Sequence, residues 1–369
     1  MKQRRSPQRI IVLFEDDPDR QAEHKTQVEK ALHGCASVVI FEDQKTATAK
    51  QGPAEARLIE LLKSKKYNDG QIGLIVCDRD LTMYSQIGAQ SDRVVSEAAK
   101  QLGVPICLYE ARSTAGLLPL ATIGRWMQGE IVVEPSLDSF GLVCAGLYRG
   151  FEAIRVALNK IKVQTFAKMT PPDILAHILG KKEELDHIAL YAAGEQGVLL
   201  ELLPYYDQSS PNTTEIRDRY HRMLGNWLYN SILRFPGILV GEVAAASYLG
   251  IAVGDFKKQP VQKLFEKAAY SGPFADCDKW WWRRGLDKII VAEKCETGFA
   301  YAKKRRKRVS PCQCVEGGHS QAGYYCMIRR QPVCEEHSRG GISWFPGGAD
   351  LARVSRSQYD KIGPFLGLY

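Results

Sequence analysis

Six residues able to ligate a transition metal, Cys312, Cys314, His319, Cys326, Cys334 and His337, crowd the C-terminal part of the chain. Thiolate and imidazole donors at this density suit tetrahedral Zn2+, which folds segments too short to bury a core of their own. Cys334 and His337 form a tight ligand pair, with Cys326 shortly upstream and Cys314 supplying the other side. The favoured set is therefore Cys314, Cys326, Cys334 and His337. Cys312 competes with Cys314 for its place, His319 is a further candidate, and six donors leave a two-metal site open. A four-ligand site has no open coordination position, so a structural metal is expected, not a catalytic one.

Directly before this cluster runs Lys303-Lys304-Arg305-Arg306-Lys307-Arg308, which supplies most of the formal net charge of +8. Basicity confined to one segment favours an anionic partner such as nucleic acid, with a solvated linker as the plain alternative. Upstream lies Trp280-Trp281-Trp282-Arg283-Arg284. Three adjacent indoles cannot all face one core, so at least one is expected at an interface or the surface. Trp281, Arg283 and Arg284 have the chemistry to stack on bases and contact phosphates. They equally suit packing between domains, with the arginines paired to Asp276, Asp278 or Asp287.

A second constellation is acidic: Glu15-Asp16-Asp17-Pro18 and Asp78-Arg79-Asp80. Each group follows a short apolar run. Such runs recur at residues 10–14, 37–41, 72–77, 106–109 and 131–133, with helical patterns between them. This alternation predicts a doubly wound, five-stranded parallel sheet covered on both faces, with the acidic groups at the carboxyl ends of strands one and three.

On these residues the segment resembles the receiver domain of two-component response regulators. The resemblance implies that Asp16, Asp17 and Asp78 form an Mg2+ site with Asp78 as phospho-acceptor. Receivers carry a hydroxyl after strand four and a lysine before a proline after strand five. Here Glu110 and Glu134 stand at those places, with Ser113 and Thr114 nearby. A glutamate in place of the lysine repels an acyl phosphate, so an atypical receiver used for docking is expected. The same residues also resemble a Toprim domain, which implies an Mg2+-dependent nuclease using Glu15, Asp16, Asp78 and Asp80. Clustered carboxylates suit two-metal phosphodiester chemistry, but Asp16 stands where Toprim domains have glycine.

Beyond residue 140 the pattern is mostly helical. Pro171-Pro172-Asp173 signals a helix start, and Ile216, Tyr220, Met223, Leu224, Trp227, Leu228 and Ile232 recur at helical spacing expected to pack a core. Residues 242–251 resemble the first helix and turn of a helix-turn-helix, although Gly254 and Pro260 interrupt the place of a recognition helix. An Ala-rich buried helix is the alternative. The expected domains are residues 1–140 (atypical receiver-like), 141–300 (helical) and 301–369 (basic strap and zinc module).

Hydrophobic residues at 45% and charged residues at 25% describe an ordinary soluble chain and exclude a disordered one. No apolar run reaches bilayer length and no secretory signal is evident, so no membrane partner is expected. Cys77, Cys107 and Cys144 lie in apolar runs, as reduced buried thiols do in a cytosol. The expectation is a cytoplasmic regulatory or adaptor protein of bacterial type that binds nucleic acid, with a partner protein docking on the receiver-like domain. The Mg2+-dependent nuclease and a protein-protein scaffold are the alternatives.

Overall fold

Runs rich in Val, Ile and Leu form strands where both faces can be covered, and five such runs build the N-terminal sheet. They are Ile10–Phe14 (β1), Ser37–Ile40 (β2), Ile72–Asp78 (β3), Ile106–Tyr109 (β4) and Ile131–Val133 (β5). The computed structural model describes residues 9–42, 53–81, 84, 92–110, 122, 125, 130–133, 139–192, 213–306, 308–318 and 321–362. All five strands are parallel, in the order β2-β1-β3-β4-β5. Every residue of β1 and β3 is buried. This is the doubly wound order, consistent with a receiver-like fold, and its switch point falls between β1 and β3.

Helices Pro18–Leu32 (α1), Ala54–Leu62 (α2), Asp92–Leu102 (α3) and Phe140–Lys160 (α4) accompany the sheet. Helix α1 packs on α4, and α2 packs on α3. Right-handed crossovers place these two pairs on opposite faces of the sheet. The glycines that weaken α4 as an isolated helix serve its packing. A Cβ on Gly141 would stand 2.3 Å from the backbone oxygen of Gln27 on α1, so only glycine permits that approach.

The chain divides into two compact units, each discontinuous in sequence. The first comprises Met1–Ser113, Glu130–Val163 and Asp207–Asn226, and the second Thr114–Gly129, Gln164–Tyr206 and Trp227–Tyr369. In the first, His221 is buried against α4 with its Nε2 2.9 Å from the Phe151 carbonyl. Burial pushes its pKa down to about 3, so the ring is neutral.

In the second unit, Pro171–Leu179 (α5) starts with a capping box between Thr170 and Asp173, as the Pro-Pro-Asp signal predicts. Leu185–Ala192 (α6) follows. Helix α7 (Thr213–Trp227), which belongs to the first unit up to Asn226, runs into a π-helical turn at Leu228–Ile232, and its apolar stripe is buried from Tyr220 to Ile232 as expected.

Strands Leu239–Gly241 (β6) and Trp280–Trp282 (β7) pair antiparallel. All three tryptophans of β7 are buried, against the expectation that one reaches the surface. The reason is strand geometry, which sends alternate side chains to opposite faces that are both covered. Trp281 meets Phe256 edge-on in one core cluster, while Trp280 and Trp282 lie against Tyr270. The Trp280 indole N–H donates to the Leu233 carbonyl at 2.8 Å.

The Ala-rich segment is helix Glu242–Leu249 (α8), buried through Ala244, Ala245 and Ala246 and ended by Gly250 in the left-handed region. Where a recognition helix would fall, the chain makes two single α turns (Val253–Phe256 and Gln259–Gln262) and a 3-10 segment (Lys263–Ala268). Helices Arg283–Ala292 (α9) and Gly298–Arg305 (α10) lead to a four-stranded sheet. Its strands are Tyr324–Cys326 (β8), Gln331–Val333 (β9), Ser338–Arg339 (β10) and Ala352–Ser355 (β11), in the order β10-β11-β8-β9. Among the described residues, no helix is long and apolar enough to cross a membrane.

Candidate metal centre and acidic pocket

The metal-ligand candidates are positioned by the small sheet. Cys314 lies upstream of β8, Cys334 directly follows β9, and His337 lies between β9 and β10. The ligand atoms of Cys314, Cys334 and His337 all lie within 4.8 Å of one another. Cys334 Sγ is 3.1 Å from His337 Nδ1, and Cys314 Sγ is 3.8 Å from it. Tetrahedral zinc with these donors would set such edges at about 3.5 to 3.8 Å, so the group could hold a metal ion. Glycine at 317 is required here, since a Cβ there would stand 2.4 Å from His337 Cε1.

The electrostatics separate Cys314 from its competitor Cys312. Burial raises the Cys314 thiol, but the backbone N–H groups of Glu316, Cys334 and Gly317 outweigh it and hold the thiol below its usual value. Burial, with the charge of Cys314 second, pushes Cys312 up to about 11. The geometry agrees, since Cys314 and not Cys312 lies in the group of three. Cys326 is buried outside the group of three, its sulfur accepting the N–H groups of Ser355 (3.2 Å) and Arg329 (3.4 Å). His319 lies outside the described residues.

The basic segment is structured at its start. Lys303, Lys304 and Arg305 form the last turn of α10, where cations oppose the negative end of the helix dipole. Arg305 pairs with Glu293 at 2.8 Å, and Lys303 lies 5.5 Å from the Phe299 ring centroid. Lys304, Arg306 and Arg308 are exposed, with no ion pair among the described residues. Lys307 lies outside them. The upstream candidates differ: Trp281 is a core residue, Arg283 pairs with Asp350 at 2.6 Å, and Arg284 reaches Glu184 at 3.7 Å. Trp281 therefore offers no face to a base.

At the other constellation, the strand ends bring Glu15, Asp16 and Asp78 to one end of the sheet, all buried. Asp17 turns away to cap α1, accepting the Asp19 N–H at 3.0 Å. Arg20, one turn into α1, lies among the acids. Its guanidinium donates to Asp17 Oδ2 at 3.0 Å and to Asp78 Oδ2 at 3.1 Å, and stands 3.6 Å from Glu15 Oε1. Glu15 is fully buried and accepts from Tyr109 Oη at 2.6 Å and from the Asp17 N–H at 3.0 Å, with His24 Nδ1 at 3.3 Å. Burial raises its pKa, but these hydrogen bonds, His24 and Tyr109 foremost, bring it below the usual value.

Asp78 behaves oppositely. Burial above all, with the charges of Glu15 and Asp16 adding, pushes it up to about 6 against the Asp80 N–H and Arg20. The exposed Asp80 closes a turn, its N–H donating to Asp78 Oδ1 at 3.1 Å. Glu110 pairs with Arg79, and Glu134, Ser113 and Thr114 lie outside the described residues. Among the described residues these carboxylates do not gather three ligand atoms within a metal's reach. Arg20 lies between Asp78, Glu15 and Asp17 and brings positive charge among them. Neither His24 nor Arg20 was singled out from sequence. The one signal for Arg20 is a cation spaced one helical turn after Asp16 and Asp17.

No protein-family model, curated protein or solved structure matches this chain.

Proposed function

We propose that the chain is a non-catalytic regulatory or adaptor protein that binds nucleic acid through its basic, metal-held C-terminal module. The observation that carries this reading is the set of exposed cations (Lys304, Arg306, Arg308), without an ion pair among the described residues, that leads directly into the Cys314–Cys334–His337 group. Two thiolates and an imidazole are donors that suit Zn2+. A fourth donor, such as the sequence candidate His319, would complete the coordination, and the metal would act only as a structural clamp. Phosphate groups are the natural anions for unpaired Lys and Arg, and such binding falls steeply with salt.

The receiver-like domain serves in this reading as a docking surface for a partner protein. Arg20 already supplies the positive charge that a divalent cation or a switching lysine would bring. The same arrangement argues against the nuclease. Glu15 is sealed beneath Tyr109 and His24, and Arg20 satisfies the acids a metal would need. Buried free thiols at Cys77, Cys107 and Cys144 suit a reducing cytosol.

The test is a gel-shift series with labelled single- and double-stranded DNA and RNA, with and without Mg2+. The reading expects a salt-sensitive shift with intact probe. Probe shortened only in Mg2+, and spared by Asp78→Asn, would establish the nuclease instead. No shift at low salt would refute both and leave the protein scaffold.

A further inference from the structure

Upstream of the basic segment, the second unit contains a cleft of about 820 Å3 between the 3-10 segment Lys263–Ala268 and helix α9. That volume lies within the usual range of ligand-binding clefts. Nine charged side chains line it, and their pairing decides its character. Glu183 is taken by Lys181 at 3.5 Å, Glu184 by Arg284 at 3.7 Å and His187 at 3.1 Å, and Glu293 by Arg305 at 2.8 Å. Lys263, Lys267 and Lys288 are exposed and make no ion pair among the described residues. Among the described residues, Glu266 is the lining acid without such a pair, and Glu183 also feels the charge of Lys288. The cleft is therefore locally cationic.

We infer that this cleft binds the phosphate groups of a nucleotide or a nucleic-acid strand, with Lys263, Lys267 and Lys288 as the contacts. Where the ligand is a strand, this rests on the nucleic-acid reading above and adds a second surface to it.

Two features choose phosphate over other anions. Lysine is a compact point charge suited to phosphate, whereas carboxylates are best held by the bidentate fork of arginine. The cleft's one arginine, Arg284, is already engaged by Glu184 and the Glu183 carbonyl. An acidic peptide is thus the poorer fit.

The same walls exclude base stacking. Trp282 and Tyr301 are buried, and cations cover both, with Lys181 5.4 Å from the Trp282 ring and Arg305 5.9 Å from that of Tyr301. What remains beside the lysines is aliphatic: the half-buried Leu264 and Ile289 and the exposed Ala292. Recognition is therefore through charge, independent of base sequence, and strongly salt-dependent.

The experiment uses the full chain and a fluorescein-labelled single strand of about 12 thymidines, a length within known single-strand site sizes. Anisotropy is read across a salt gradient for wild type and for Lys263→Gln/Lys267→Gln/Lys288→Gln. Lys288→Gln alone serves as a milder variant should the triple one fold poorly, and calorimetry with ATP and with a poly-glutamate peptide forms the second arm.

The cleft variant is expected to bind the strand at least ~10-fold more weakly and to flatten the log–log salt slope by about 2, near 0.7 per lost contact. Lys288→Gln alone should flatten it by about a third of that. ATP binding by wild type that the cleft variant loses, with no strand binding, identifies the mononucleotide as the source.

Unchanged strand affinity in the cleft variant, with loss of binding in Lys304→Gln/Arg306→Gln/Arg308→Gln, overturns the cleft and leaves the basic module standing. Binding of neither strand nor ATP by wild type overturns both. Binding of the peptide alone overturns the phosphate assignment.

Discussion

Asp78→Asn should stabilise the N-terminal sheet at neutral pH, although it removes a hydrogen-bonded acid. Asp78 is 6% exposed and its carboxyl is pushed up to about 6, mainly by burial. Against an unfolded value near 3.9 the shift is about two units, equivalent to about 3 kcal/mol. A raised folded-state pKa means that this stabilisation is complete below about pH 4 and lost as pH rises through about 6. Above that, the buried anion is a liability. Arg20 offsets part of it through the 3.1 Å contact to Asp78 Oδ2, but its side chain is 44% exposed. Solvent screening leaves that contact worth about 1 kcal/mol. The shift to about 6 already contains that pull. The deduction is for the carboxylate oxygen that asparagine replaces with an N–H facing Arg20, about 1 kcal/mol. The net gain is about 2 kcal/mol at about pH 8.

Hydrogen exchange of the β1 and β3 amides in the full chain reads this directly. When global opening governs exchange, 2 kcal/mol slows it about 30-fold. At about pH 4.5 the native Asp78 is already protonated, and the difference should fall below about 1 kcal/mol. Faster exchange in the variant at both pH values would refute the assignment of Asp78 as a strained anion. So would an Mg2+-dependent protection of wild type that the variant loses, because a divalent cation and not Arg20 would then balance the acids.

The metal centre yields two further predictions. Gly317→Ala should weaken Zn2+ binding about 10- to 100-fold, as lost ligand positioning does, because its methyl displaces the His337 ring. Competition against a chromogenic chelator measures this, and unchanged affinity would contradict the placement of His337. Stripping the metal with a strong chelator should lower the thermal midpoint of the second unit and expose Cys314 and Cys334 to maleimide labelling, since metal binding there is coupled to folding. Equal labelling rates with and without metal would show that no ion holds these thiols.

What the sequence made legible follows from periodicity and strong local signals. Five β-branched runs between helical patterns fix a parallel sheet almost by themselves, and the Thr170–Asp173 cap and the stripe through Trp227 are local signals of the same kind. The Cys/His cluster was visible because few other roles concentrate those residue types. Trp280 to Trp282 misled because the covering of both strand faces is a tertiary fact, supplied by Tyr270 on one side and Phe256 on the other. Arg20 was overlooked for the same reason. Nothing in a helical arginine announces that its guanidinium lies beside an aspartate 58 residues away. The cleft lysines are scattered over two elements, and only the pairing of their acidic neighbours elsewhere reveals them as unopposed charge.

The most direct measurement is the salt dependence of single- and double-stranded nucleic-acid affinity for wild type and for Lys304→Gln/Arg306→Gln/Arg308→Gln, each loaded with zinc. A nucleic-acid-binding module requires tight wild-type binding at low salt and a log–log slope shallower by about 2 to 3 in the variant. Equal affinities and equal slopes would mean that the basic segment grips no phosphate, and the proposed function would fall.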